Sequence, residues 1–156
     1  MKAVRILICC IAGVLISAGA LFAQVSVDSG SFDVDVQVKR AIARGSDVCV
    51  DIVCTVRNSW NALVFQKNNR KDSIRIFDDE GGFYSECVFE VDGRQSTYQG
   101  WLNVAKDTPR KIRFIIKDVD EYAAGFALME LPYYGQGKVG GAMDCKLVIK
   151  DLPISR

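Results

Sequence analysis

The stretch VCVDIVCTVRN, Val48 to Asn58, decides the fold. Side chains along a β-strand alternate faces with a period of two. Val48, Val50, Ile52, Cys54 and Val56 share one phase; Cys49, Asp51, Val53, Thr55 and Arg57 share the other. The first set is uniformly apolar. It predicts a strand with one face in a core, Cys54 inside, and Cys49 pointing outward or sideways. The two cysteines cannot bridge each other. Five residues of strand span roughly 16 Å, and a disulfide tolerates only about 7 Å between Cα atoms. Zinc is poorly served too, since the chain has no C-x-x-C and no histidine.

Working outward, the alternation recurs. Phe32, Val34, Val36 and Val38 alternate with Asp33, Asp35 and Gln37, which predicts a half-buried strand. Arg44-Gly45-Ser46-Asp47 reads as the turn into the 48–58 strand, and Asn58 to Asn61 as its end. SIRIF (73–77) and FYSECVFEV (83–91) flank DDEGG, a hairpin turn, and Asp92-Gly93 marks another. Strands follow at Tyr98 to Val104 and, most strongly, at KIRFIIK (111–117), the two linked by Lys106 to Pro109. DVDEYAAG (118–125) is the only segment that reads as a helical turn. Phe126 to Leu131 and Asp144 to Lys150 complete the series. About eight short strands without a substantial helix predict an antiparallel β-sandwich.

The N-terminus reads differently. In MKAVRILICCIAGVLISAGALFAQ, Lys2 and Arg5 precede an uncharged apolar run from Ile6 to Ile16, and small residues follow at Ala18, Ala20 and Ala23. That is the layout of a secretory signal peptide. The run is short for a membrane span, which needs roughly 20 apolar residues. Residues 1–23 are therefore expected to be a cleaved leader, residues 24–30 a short linker, and residues 31–156 one sandwich domain. Taking 23 residues from 156 leaves 133, enough for a single core. Taking Lys2 and Arg5 from the 20 basic residues leaves 18 against 19 acidic ones. No basic stripe remains for a phosphate backbone, so nucleic acid is not an expected partner. No second apolar run is long enough to span a bilayer.

Cys9 and Cys10 leave with the leader, so four cysteines remain: Cys49, Cys54, Cys87 and Cys145. An even count in an exported chain favours disulfides. Cys87 is in phase with Phe89 and Val91, and Cys145 with Leu147 and Ile149, so both point inward. With Cys49–Cys54 excluded, two connectivities remain, and Cys54–Cys145 across a core is the more natural bridge, with Cys49–Cys87 beside it. The alternative is four buried thiols packing as small apolar groups.

SDVCVDIVCTVRN (46–58), FDDEGGFY (77–84), DTPRKIRFIIKDVDEYAAGFALMEL (107–131) and KLVIKDLPI (146–154) together resemble the immunoglobulin-like domains of small exported bacterial proteins of unknown function. The resemblance covers roughly residues 30 to 154. It implies an immunoglobulin-like sandwich and brings no catalytic residues; the leader fits the periplasm or the medium equally. Cys54 departs from it, standing where a larger apolar residue is usual.

Motifs with chemistry are few. GQGKVG (135–140) fits G-x-G-x-x-G, but the segment after it reads as a strand rather than a helix, and no acidic residue follows at the required distance. It reads as a glycine-rich loop, with no nucleotide cofactor expected. Asp78, Asp79 and Glu80 supply three adjacent carboxylates, fewer oxygens than calcium usually takes; Asp118, Asp120 and Glu121 form a second acidic cluster, which would matter if the two met in space. Without histidine, no Ser-His-Asp or Cys-His arrangement exists. The expectation is a non-catalytic module whose partner is a protein, a cell-envelope component or a glycan. Trp60, Tyr133 and Tyr134, at a strand end and at the entry to the glycine-rich loop, are the expected aromatic patch. Trp101, mid-strand, reads as core.

Overall fold

The structure, a computed structural model, describes residues 24–137 and 142–156. The expected leader lies outside the described residues. So does the second half of GQGKVG.

Val48 to Val56 is a strand, and a central one. Twelve strands follow one another along the described chain: β1 (Ser26–Asp28), β2 (Val34–Arg44), β3 (Asp47–Val56), β4 (Trp60–Gln66), β5 (Arg75–Asp78), β6 (Phe83–Tyr84), β7 (Val88–Val91), β8 (Arg94–Ser96), β9 (Gln99–Asn103), β10 (Arg110–Ile116), β11 (Gly125–Gly137) and β12 (Met143–Pro153). They form two antiparallel sheets. One has five strands in the order β2-β3-β10-β7-β8. The other has seven: β1-β12-β11-β4-β9, with β5 on β11 and β6 on β5. β11 runs 13 residues. One edge pairs with β12, and the other pairs first with β5 and then with β4.

The inward faces of the two sheets meet in one core. From the five-stranded sheet come Val50, Ile52, Cys54, Phe89, Ile112 and Phe114, each under 2 % exposed. Leu63, Phe65, Met129, Leu131, Tyr133 and Leu147 oppose them. The Phe65 ring lies 5.2 Å from Phe114, edge to face, and 5.1 Å from Tyr133. Aromatic contacts of this kind join the layers and add to the burial of apolar area.

Several expectations change, the first being the linker at 24–30, which holds β1 paired to β12. β4 replaces the end of a strand foreseen at Asn58 to Asn61. The chain turns within Arg57 to Ser59, where Asn58 accepts the Trp60 amide at 2.9 Å. The stretch 83–91 is two strands, β6 and β7, one in each sheet. The helical turn at 118–125 is a hydrogen-bonded turn, Ala123 N to Asp120 O at 3.1 Å, and no helix occurs among the described residues. The glycine-rich loop begins later than foreseen, because Tyr133 to Gly137 belong to β11. Asp92-Gly93 is a turn as read. Both residues have positive φ, 51° and 76°, as a two-residue hairpin of the I′ kind requires.

Candidate interaction surface

The outer face of the seven-stranded sheet gathers what the sequence scattered. Register aligns Trp101 of β9 with Val64 of β4, Val64 with Tyr134 of β11, and Tyr134 with Asp144 of β12. Cross-strand neighbours on one face sit about 5 Å apart at Cβ. Val64 is fully buried, yet it is not part of the central core. It lies on the other face, between Trp101 and Tyr134. Trp101 is 41 % exposed, and its Nε1–H donates to Asn103 Oδ1 at 3.0 Å, which fixes the indole. Adjoining rows carry neutral amides: Gln99 opposite Gln66, and Asn103 and Gln136 on either side of Ala62. Neither β4 nor β9 holds a charged residue. Beside β9 a groove of about 470 Å³ runs between the two sheets, lined by Phe89, Val91, Arg94, Gln95, Gly100 and Trp101.

The expected patch of Trp60, Tyr133 and Tyr134 does not assemble. Tyr133 is completely buried, and its hydroxyl donates to Ser29 O at 2.6 Å. Burial in the core drives its phenol well above the usual range. Trp60 is half-buried against the core. Its ring fills the space in front of Gly135, where any Cβ would overlap it. Tyr134 points to the other face. Phase signalled only half of this reversal, the outward Trp101; the inward Trp60 sits past a register shift that its own strand does not announce. Trp101 alternates with Gly100 and Leu102 and shares its side with Gln99 and Asn103, a pattern that marks a solvent-facing row.

The four cysteines are free and buried. Cys49, on β3, and Cys87, just before β7, lie on opposite sides of β10, close to two strand spacings apart, or roughly 9.6 Å, beyond the reach of a disulfide. Cys49 points away from the core, but its neighbours Ile42 and Ile115 cover it to 7 % exposure. Cys54 and Cys145 face the interior from opposite sheets without bonding. Burial pushes the Cys54 and Cys87 thiols up to about 12.

The acidic turns do meet, but the joining hydrogen bonds use the Asp79 carboxylate and the Tyr84 hydroxyl on the first side and backbone amides of the second turn. Asp78 accepts the amides of Glu80 and Gly82 at 3.1 and 2.6 Å and the Tyr84 hydroxyl at 2.7 Å. Asp79 accepts the amides of Ala124 and Gly125. The Asp120 amide donates to Tyr84 Oη at 3.2 Å. Among the described residues no group of three or more Cys, Asp or Glu side chains converges on a metal position.

One charged cluster escaped the sequence reading. Asp51, on the outer face of the five-stranded sheet, is only 1 % exposed. Arg113 donates to it at 2.6 and 3.2 Å and Arg40 at 2.7 Å, Lys111 lies at 3.4 Å, and Arg113 also holds Glu90 at 3.0 Å. Burial alone would raise the Asp51 carboxyl, but the Arg113 and Arg40 hydrogen bonds and the surrounding positive charge hold it well below the usual carboxylate range. The arrangement ties β2, β3, β7 and β10 together.

No protein-family model and no curated protein matches this chain. No helix among the described residues is long and apolar enough to cross a membrane.

Proposed function

We propose that the chain is an exported, non-catalytic interaction module of immunoglobulin-like topology, and that the outer face of the seven-stranded sheet meets a protein or another cell-envelope component. The leader-like N-terminus supports export. The order of strands within each sheet supports the topology, β2-β3-β10-β7 running like the A-B-E-D sheet of such domains and β12-β11-β4 like the facing G-F-C sheet; β9, in the place of C′, departs from it by following β7 and β8 in the chain. The observation that carries the binding reading is Trp101, an indole held outward on a charge-free pair of strands, in one cross-strand row with Val64 and Tyr134. Exposed aromatics on a rigid sheet bring large contact area at low entropic cost.

A photo-crosslinking side chain at position 101, compared with one at Lys111 on the opposite sheet, tests this in the cells that export the protein. Adducts to a foreign partner from 101 and not from 111 are expected. Equal labelling from both positions, or none from 101, overturns the proposal. The neutral amides around Trp101 favour a glycan as the second reading. Glycan-array binding that is lost in Trp101→Ala and Tyr134→Ala would select it, and no binding at millimolar glycan would remove it.

A further inference from the structure

We infer that β9 is a self-pairing edge through which two copies of the chain join their seven-stranded sheets. An unpaired strand edge is a template for another strand, and proteins normally blunt it with charge, proline, bulges or brevity. The other terminal strands of the two described sheets are blunted. β2 bulges between Val38 and Arg40, next to Lys39. β1 and β8 have three residues each, β6 has two, and β8 begins with Arg94. β9 has five residues, Gln-Gly-Trp-Leu-Asn, with no charge and no proline, and pairs with β4 without a register shift.

The hydrogen-bond phase tells which groups face out. Val104 N donates to Asn61 O at 3.0 Å, so Gly100, Leu102 and Val104 form the bonded pairs with β4. The backbone groups of Gln99, Trp101 and Asn103 therefore point away from the sheet. The Gln99 amide turns back to Ser96 Oγ at 3.2 Å. Its carbonyl and both backbone groups of Trp101 and Asn103 have no partner among the described residues.

A two-fold axis at Trp101 satisfies this edge with itself. Trp101 then faces Trp101 of the second copy and exchanges two backbone bonds with it. Each Asn103 N–H reaches the Gln99 carbonyl opposite. The paired strands bring no charge of their own to the contact, and the cross-strand side-chain pairs are indole with indole and amide with amide. The closed symmetry stops at two copies. So short an edge lies below the standard interface size, and the association is weak.

Sedimentation equilibrium of the purified exported chain, from about 5 to about 500 μM, tests the inference. The expected average mass rises from monomer towards dimer. It should stay at monomer in Trp101→Lys and in Asn103→Pro, which removes an outward amide and leaves the β4 bonds in place. Tyr134→Ala, off the edge, should keep the rise. Circular dichroism establishes that each variant is folded. A folded wild type that stays monomeric throughout overturns the inference, as does association that survives both edge variants. The test is independent of the function proposed above. A monomer that still crosslinks a foreign partner from position 101 overturns the dimer alone, and a dimer without foreign adducts overturns the function alone.

Discussion

Asp51 is where single-residue electrostatics carries the most consequence. Its folded carboxyl titrates below its unfolded value, so the stabilisation is complete above the unfolded value, near pH 4, and is lost as pH falls through the lower folded one. Stability should therefore fall steeply below about pH 4, and Asp51→Asn should flatten that limb in urea titrations run from pH 2 to 6. At neutral pH, Asp51→Ala should cost about 2 kcal/mol, less than a fully buried pair loses, because Arg40 and Lys111 regain water. An acid limb unchanged in the variant would remove Asp51 as its cause. The cysteines make a second prediction at this scale. With Cys54 and Cys87 pushed up to about 12 by burial, the thiolate that reacts is scarce. Ellman's reagent should leave Cys49, Cys54, Cys87 and Cys145 untouched over minutes in native protein and titrate all four in denaturant. Fewer than four in denaturant under non-reducing conditions would restore a disulfide.

Among the elements, legibility followed alternation. β2 and β12 each keep a solvated row, so a period of two was visible: Val34 and Val36, and Cys145, Leu147 and Ile149, are buried as read, whereas Phe32, read with the first pair, lies outside β2 and is exposed. The apolar phase of β3 was legible too, but Cys49 and Asp51 on its other face are also covered. β4 was hidden because Ala62 and Val64 are buried on one face while Leu63 and Phe65 are buried on the other. A run buried on both sides has no period to find. The end of β11 was misread for a related reason: Gly135 to Gly137 carry loop composition, yet Gly135 is in the strand to leave room for Trp60. Gly135→Ala should displace that ring and destabilise the protein by about 1–3 kcal/mol, as overpacking does. A blue or red shift in Trp60 emission should accompany the lower urea midpoint. An unshifted midpoint would mean that the ring moves aside freely.

Over the whole molecule, the class of fold was legible and the candidate surface was not. Composition, short strands and turn residues specify two sheets with an apolar layer between them. Which aromatic lies outside depends on where β9 sits in its sheet and on what covers Val64, and both are products of long-range pairing. The same pairing makes the layers interdependent. Phe65 belongs to the seven-stranded sheet, yet it packs on Phe114 of the other and on Tyr133 of its own. Phe65→Ala removes a ring that is 1 % exposed and should cost about 3–5 kcal/mol through lost burial and the cavity left behind. Both tryptophans lie in the seven-stranded sheet, whereas far-UV circular dichroism reports on the two sheets together. If the sheets share one cooperative core, the two signals should keep a common urea midpoint in the variant, lowered by the same amount. Tryptophan fluorescence that melts ahead of the circular dichroism would show that the seven-stranded sheet loosens by itself, and that Phe65 serves its own layer more than the joint between layers.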